Sequence, residues 1–135
     1  MLYYSLTRFG DPNPGIGIAT ADSPAETFVD QGKLLRSKEA GIPNAIDPCP
    51  IVENGIPYLF CGSHRGIYGI ELTADGLSVV GEPFQVAGDG IEGPLYNRAR
   101  RVLLPVRFAR IVLQRCDEHI SHCRGTFAFA SRSVS

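Results

Sequence analysis

At 135 residues the chain is the size of one domain or part of one. With 44% hydrophobic and 20% charged residues it has a globular composition, and its 15 Gly and 10 Pro favour short strands and turns over long helices. A net charge of −1, no apolar run long enough to cross a bilayer as a helix, and four irregularly spaced cysteines (Cys49, Cys61, Cys116, Cys123) argue against nucleic-acid, membrane-spanning and disulfide-scaffold classes.

The chain opens on an aromatic, strand-like stretch, Leu2–Leu6, with no basic or apolar leader before it, so no signal peptide is expected. Gly10–Gly15 (GDPNPG) is a dense turn signal, and Gly15–Ala21 reads as a second strand. A turn at Asp22-Ser23-Pro24 leads to a short strand within Thr27–Leu35, and Arg36–Pro43 reads as a polar connection. Pro50–Val52 and Tyr58–Cys61 are apolar strands around Glu53-Asn54-Gly55, where Asn-Gly supplies the positive φ angles of a tight hairpin. Gly66–Leu72 alternates cleanly, Thr73–Gly76 turns, and Leu77–Val86 is a last strand interrupted by Gly81 and Pro83. Four short strands joined by hairpins between Asp47 and Val86 are the content of one propeller blade, and their length fits a repeat of about 40–45 residues.

An internal repeat supports the blade. Ile46-Asp47-Pro48 recurs as Ile91-Glu92-Gly93-Pro94, 45 positions on. Gly15–Asp22 likewise resembles Gly66–Asp75. The chain is therefore expected to be all-β: the later part of one blade, one whole blade, and the start of a third. Asp47 and Glu92 hold the same phase, on or just before the first strand of consecutive blades, where both would face one axial pocket. Asp, Gly and Pro are also ordinary turn formers, so spacing alone leaves a catalytic and a purely structural reading of both open.

Ala45-Ile46-Asp47-Pro48, Leu59–Ser63 (LFCGS), Gly66–Gly76 (GIYGIELTADG) and Glu92-Gly93-Pro94 together resemble glycoside hydrolase family 43, nearest to its arabinanase-like and β-xylosidase-like members. Ile18–Leu35 is similar to the segment that ends the family's first blade, and the resemblance covers residues 1 to about 96. It implies a partial β-propeller, about two blades of a five-bladed ring, from an enzyme that hydrolyses O-glycosidic bonds in arabinose- or xylose-containing polysaccharides with inversion. Carried over by position, Glu92 matches the general acid and Asp47 the carboxylate that raises its pKa and orients it. An inverting glycosidase pairs one protonated carboxyl with one ionised base, with room for a water between them, and a neighbouring carboxylate favours the protonated form.

The family's base lies on the first strand of the first blade, which the repeat places upstream of Leu2. Asp11 follows a strand and reads as a turn residue. The chain alone is therefore expected to be inactive. Its runner-up reading is a non-catalytic carbohydrate-binding or self-associating β-protein. His64 and Arg65, read as following a Gly-Ser turn, are candidate sugar contacts, with a solvated loop the plainer alternative. Cys61 reads as a buried small hydrophobe. The expected partner is an arabinan- or xylan-type oligosaccharide, with a homo-oligomer completing the open sheet edges. No cofactor, metal, nucleic acid or membrane is implied, and the localisation is left open.

The boundary is set at 96/97, where the family pattern stops, and the charge changes sign just beyond it. Residues 1–97 carry five basic and twelve acidic side chains; residues 98–135 carry eight Arg and two acids. Asn97–Cys116 has the composition of a basic amphipathic helix, but Pro105 interrupts it. Cys116, His119, His122 and Cys123 lie too close together for a standard zinc site. A third reading needs only the genetic code. Suitable codons for Val102–Phe108 give Tyr-Tyr-Tyr-Leu-Phe-Ala one base later, an aromatic strand like the family's after its Glu-Gly-Pro segment. Thr126–Ser133 again resembles an in-frame strand. Residues 99–124 are thus readable as third-blade sequence in a shifted frame.

Overall fold

The computed structural model describes residues 1–97 and, beyond them, the backbone of three short strands at 102–107, 110–111 and 114–115. The Cys116–Cys123 cluster and the strand expected at Thr126–Ser133 lie outside the described residues. Strands dominate: β1 (Leu2–Leu6), β2 (Gly15–Thr20), β3 (Val29–Arg36), β4 (Cys49–Glu53), β5 (Ile56–Ser63), β6 (Gly66–Leu72), β7 (Val79–Ala87), β8 (Gly93–Asn97), β9 (Val102–Arg107), β10 (Arg110–Ile111) and β11 (Gln114–Arg115), with one helical turn, α1 (Ser37–Ala40). They form three antiparallel sheets: β1-β2-β3, the four-stranded meander β4-β5-β6-β7, and a third in which β9 pairs with β8, β10 and β11. This is the partial propeller read from the repeat: a three-stranded sheet, one complete blade, and the beginning of another.

Each hairpin has a local cause. Glu53 pairs with Ile56, so the β4–β5 loop is two residues, and Asn54 and Gly55 both sit at positive φ (52° and 81°) as a right-twisting hairpin requires. The β6–β7 loop closes on itself: the Thr73 hydroxyl donates to Asp75 Oδ1, which also accepts from the Leu77 N–H. Gly69 lies under the edge-on pair of Phe60 and Phe84, whose rings fill the space a side chain there would need.

Two expectations change. Arg36–Pro43 is more than a polar connection: Arg36 ends β3, Ile42 is buried, and Ser37–Ala40 makes one helical turn. Gly41 ends it at φ 67°, and the turn is tied down on both sides. Ser37 N–H donates to the Pro14 carbonyl, and the buried Ser37 Oγ accepts from Ala45 N–H. Nor is Gly62-Ser63 a turn. Both residues end β5, buried, and the turn is His64-Arg65. The segment with helical composition around Pro105 is the strand β9, with Pro105 opposite Pro94.

Two clusters hold the sheets together. Ile16 and Leu35 of the first sheet pack with Ile42, Ala45, Leu59, Cys61, Ile70 and Leu72 to form the seam between the first two sheets. On the other face of the second sheet, Ile51, Tyr58, Phe60, Ile67, Val86 and Ala87 gather around Ile91, which is fully buried. Burying one such isoleucine contributes about 2 kcal/mol.

Gly55 and Gly62 separate conformational from steric demand. Both have positive φ (81° and 127°), but a Cβ on Gly55 meets nothing within 4 Å, whereas one on Gly62 would lie 2.2 Å from the Gly66 carbonyl oxygen. Gly55→Ala is expected to cost about 1 kcal/mol. Gly62→Ala is expected to cost about 3 kcal/mol or more, because backbone must move as well. Urea-denaturation midpoints of the two variants check the order; equal losses would mean that the close approach at Gly62 does not constrain the fold.

Candidate active site

Strand direction alternates along the meander, so the β1–β2 turn, the β3–β4 connection, the β5–β6 turn and the β7–β8 connection all emerge at one end. These four loops carry Asp11, Asp47, His64 with Arg65, and Glu92 respectively. Candidates scattered through the sequence thus meet on one face. The opposite end carries the Asn54-Gly55 and Thr73–Ser78 turns.

Asp47 sits where the β3–β4 connection enters β4. Ile42 and Ala45, 1% and 0% exposed, fix the connection in the seam, and the Ile46 carbonyl accepts from Gly62 N–H at 2.8 Å. The Asp47 backbone has φ 56°, the left-handed region that Asp tolerates better than most side chains, although proline follows it. Its N–H donates to Ser5 Oγ on β1 at 3.0 Å. The carboxylate points outward beside Gly93, where a Cβ would lie 3.5 Å from Asp47 Oδ2. Desolvation raises the Asp47 pKa, the charge of Glu92 raises it further, and His64 partly offsets both. The repulsion expected between the two carboxylates is therefore felt at Asp47.

Glu92 is exposed between the buried Ile91 and Gly93, the first residue of β8. The repeated Ile-acid-Pro pattern thus has a physical meaning at this position: the isoleucine is anchored in the core, and the acid that follows is directed out of it. The loop before Glu92 is fastened by Gly90 N–H, which donates to the His64 carbonyl at 2.9 Å. His64 Nδ1 lies 3.1 Å from the Ser63 hydroxyl. His64 therefore touches both carboxylate-bearing segments, through its charge toward Asp47 and through its carbonyl toward the Glu92 loop.

Arg65 is exposed beside His64. The two line a cavity of about 210 Å³ with Asp11, Asn44 and three prolines, Pro12, Pro14 and Pro43. Asp11 itself is a turn residue: its Oδ1 accepts from Asn13 N–H, and Arg36 approaches its Oδ2 at 3.7 Å. Cys61 is fully buried, and burial pushes its thiol up to about 12, with Asp47 adding to the effect, so it stays a neutral thiol at physiological pH. Among the described residues no group of three or more His, Cys, Asp or Glu side chains could hold a metal ion. Ser5, Ser37 and Gly90 position the site without any local signal; their partners lie 42, 8 and 26 residues away.

The sequence and the fold are each similar to known proteins. The model of the family described as glycosyl hydrolases family 43 matches residues 1–103. The chain is 34% identical over 90 residues to a probable arabinan endo-1,5-alpha-L-arabinosidase A of Aspergillus flavus, which covers 65% of this chain and 28% of that protein. It is 32% identical over 101 residues to an extracellular endo-alpha-(1->5)-L-arabinanase 1 of Bacillus subtilis, covering 69% and 31% of the two chains. The chain thus spans under a third of the length of these relatives. An alpha-L-arabinofuranosidase structure from Clostridium thermocellum shares the fold, with a TM-score of 0.58 over 74% of this chain and 38% of that one, at 22% identity.

The raised Asp47 pKa sets a direction for stability. Ionising Asp47 is harder in the folded chain than in the unfolded one. Its favourable contribution is therefore complete below the carboxylate range, about pH 4, and is lost as pH rises through the raised folded value. Asp47→Asn keeps a side chain that tolerates positive φ and removes the charge. Its urea midpoint at pH 7 is expected to equal or exceed that of the parent chain, with a flatter pH dependence between about pH 4 and 6. A lower midpoint at pH 7 with unchanged pH dependence would contradict the electrostatic assignment.

Proposed function

The chain belongs to glycosyl hydrolases family 43, and from that premise we propose that it is part of an inverting glycosidase of arabinan. Glu92 is the general acid that protonates the departing sugar oxygen, and Asp47 beside it orients it. His64 and Arg65 contact the sugar chain at the same end. The observation that carries this reading is the pairing of Asp47 and Glu92, set 45 residues apart in sequence, with Asp47 Oδ2 only 3.5 Å from where a Cβ on Gly93, the neighbour of Glu92, would stand. Neighbouring carboxyls at one site are what acid catalysis of glycoside hydrolysis asks for. Arabinan is favoured over xylan because the similar proteins named above are arabinan- or arabinoside-acting.

Inversion also needs a base to activate water. Among the described residues the other carboxylates on these loops are engaged: Asp11 by Asn13 and Arg36, Glu39 by Lys33, and Asp89 in an interaction of its own. The chain by itself therefore binds arabinan without turning it over, and the three-stranded first sheet pairs with further strands or with a second copy to complete the ring. Saturable binding of linear arabinan by the full chain, with no release of reducing ends and with binding retained in Glu92→Gln, is the expected result. Turnover that Glu92→Gln abolishes would overturn the inactivity and keep the glycosidase; absence of both binding and turnover would overturn the carbohydrate reading altogether.

The boundary near residue 96 belongs to the same proposal, with residues 99–124 as third-blade sequence read in a shifted frame. Supporting it are the family motifs that run to Glu92-Gly93-Pro94 and the abrupt change in charge that follows. Sequencing the coding DNA is expected to give an aromatic strand at 102–107 one base out of frame. Codons that give no such strand would remove the frame shift.

A further inference from the structure

The cavity beside the carboxylates has a chemistry of its own. Three loops build it: the β1–β2 turn contributes Asp11, the β3–β4 connection Asn44, and the β5–β6 turn His64 and Arg65. Pro12, Pro14 and Pro43 form much of the remaining wall, and their fixed φ angles make it stiff. A volume of about 210 Å³ suits one sugar ring rather than a chain.

The hydrogen-bonding capacity left over is lopsided. Among the described residues the Arg65 guanidinium and the Asn44 side-chain amide make no hydrogen bond or ion pair. His64 uses Nδ1 toward Ser63, which leaves Nε2 to donate where Nδ1 accepts the Ser63 hydroxyl. The cavity's carboxylate, Asp11, is already met by Asn13 N–H and by Arg36. Asp47 is not part of the lining. The Arg65 fork is planar and permanently charged, and it pairs with no described carboxylate, since the Asp11 that shares the cavity is met by Asn13 and Arg36. A neutral sugar, which both gives and takes hydrogen bonds, would leave that fork without an ionic partner. A carboxylate accepts only, and it matches a guanidinium in two parallel bonds.

We infer that this cavity is a subsite for a uronic acid, a sugar carrying a carboxylate, with Arg65 as the residue that recognises the acid and Asn44 and His64 as supporting donors. The inference rests on the glycosidase reading only for what lies beyond the subsite: the carboxylates act on a neutral linkage, and the adjoining cavity holds an acidic unit of the same polymer.

The test uses the full chain and D-galacturonate, followed by the backbone amide shifts of Asn44, His64 and Arg65 in a proton–nitrogen NMR titration. Galacturonate is expected to move these signals saturably. Its methyl ester, neutral but nearly the same shape, should bind about tenfold more weakly. Arg65→Ala, in an exposed two-residue turn, should reduce galacturonate affinity about tenfold, with Arg65→Lys between the two. Equal affinity for acid and ester would make the cavity a neutral sugar subsite and overturn the inference. Acetate binding as tightly as galacturonate would make it a simple anion site and overturn it, as would no binding at all. Linear arabinan is titrated separately. Loss of arabinan binding with galacturonate binding intact sinks the glycosidase reading alone; the reverse sinks the uronate subsite alone.

Discussion

The seam between the first two sheets governs everything at the end that carries the two acids. Ile16 and Leu35 arrive from the first sheet, Leu59, Cys61, Ile70 and Leu72 from the second, and Ile42 and Ala45 from the connection between them. Because those last two residues are buried in the seam, the connection cannot float above the sheets. Asp47, two residues beyond Ala45, inherits its position from that packing. The hydrogen bonds around it refine the position: Ile46 to Gly62 in the second sheet, Asp47 to Ser5 in the first. A carboxylate held by both sheets reports the angle between them.

Glu92 depends on the opposite face of the same sheet. Ile91 completes the cluster of Ile51, Tyr58, Phe60, Ile67, Val86 and Ala87, and Glu92 leaves the core immediately after it. The two acids are thus anchored through two different clusters on either side of β4–β7. Their relative position is set by the thickness and twist of one four-stranded sheet. This explains why His64 matters structurally. Its turn lies at the end of that sheet, and its carbonyl receives Gly90 N–H from the Glu92 loop while it acts on Asp47 through its charge. The segment linking the two acids across the sheet end is one short hairpin turn.

The price of this arrangement is local. Asp47 takes a positive φ before a proline and carries a carboxylate that burial and Glu92 both make harder to ionise. Such departures persist only where surrounding structure over-determines them, and here Ser5, Ile42 and Ala45 do so. Cys61 shows the contrasting case. It lies next in sequence to Gly62, which bonds to the Ile46 carbonyl, yet it is sealed in the seam as a neutral thiol and has no access to the surface chemistry.

Much of the fold was legible in the residues themselves, because strand hairpins are written locally. Asn54-Gly55 announces its own turn, the alternation of Gly66–Leu72 announces its own strand, and the 45-residue echo of Ile46-Asp47-Pro48 announces the blade and the shared phase of its acids. What the linear pattern could not show was anything resting on a partner far along the chain or on space. The single turn of α1 is held by Pro14 and Ala45, the residues Gly62-Ser63 are strand because they pair with Ile67 and Gly66, and Ser5 positions Asp47 from 42 residues away. The cavity of Asn44, His64 and Arg65 exists only where three loops converge. Sequence by itself determined most of the strands and the hairpin turns at Asn54-Gly55 and Thr73–Gly76, since these follow from backbone preference and periodicity. Tertiary structure alone decided which side chains share a field and which donors are left unpaired, since charge and hydrogen bonding act through distance in space.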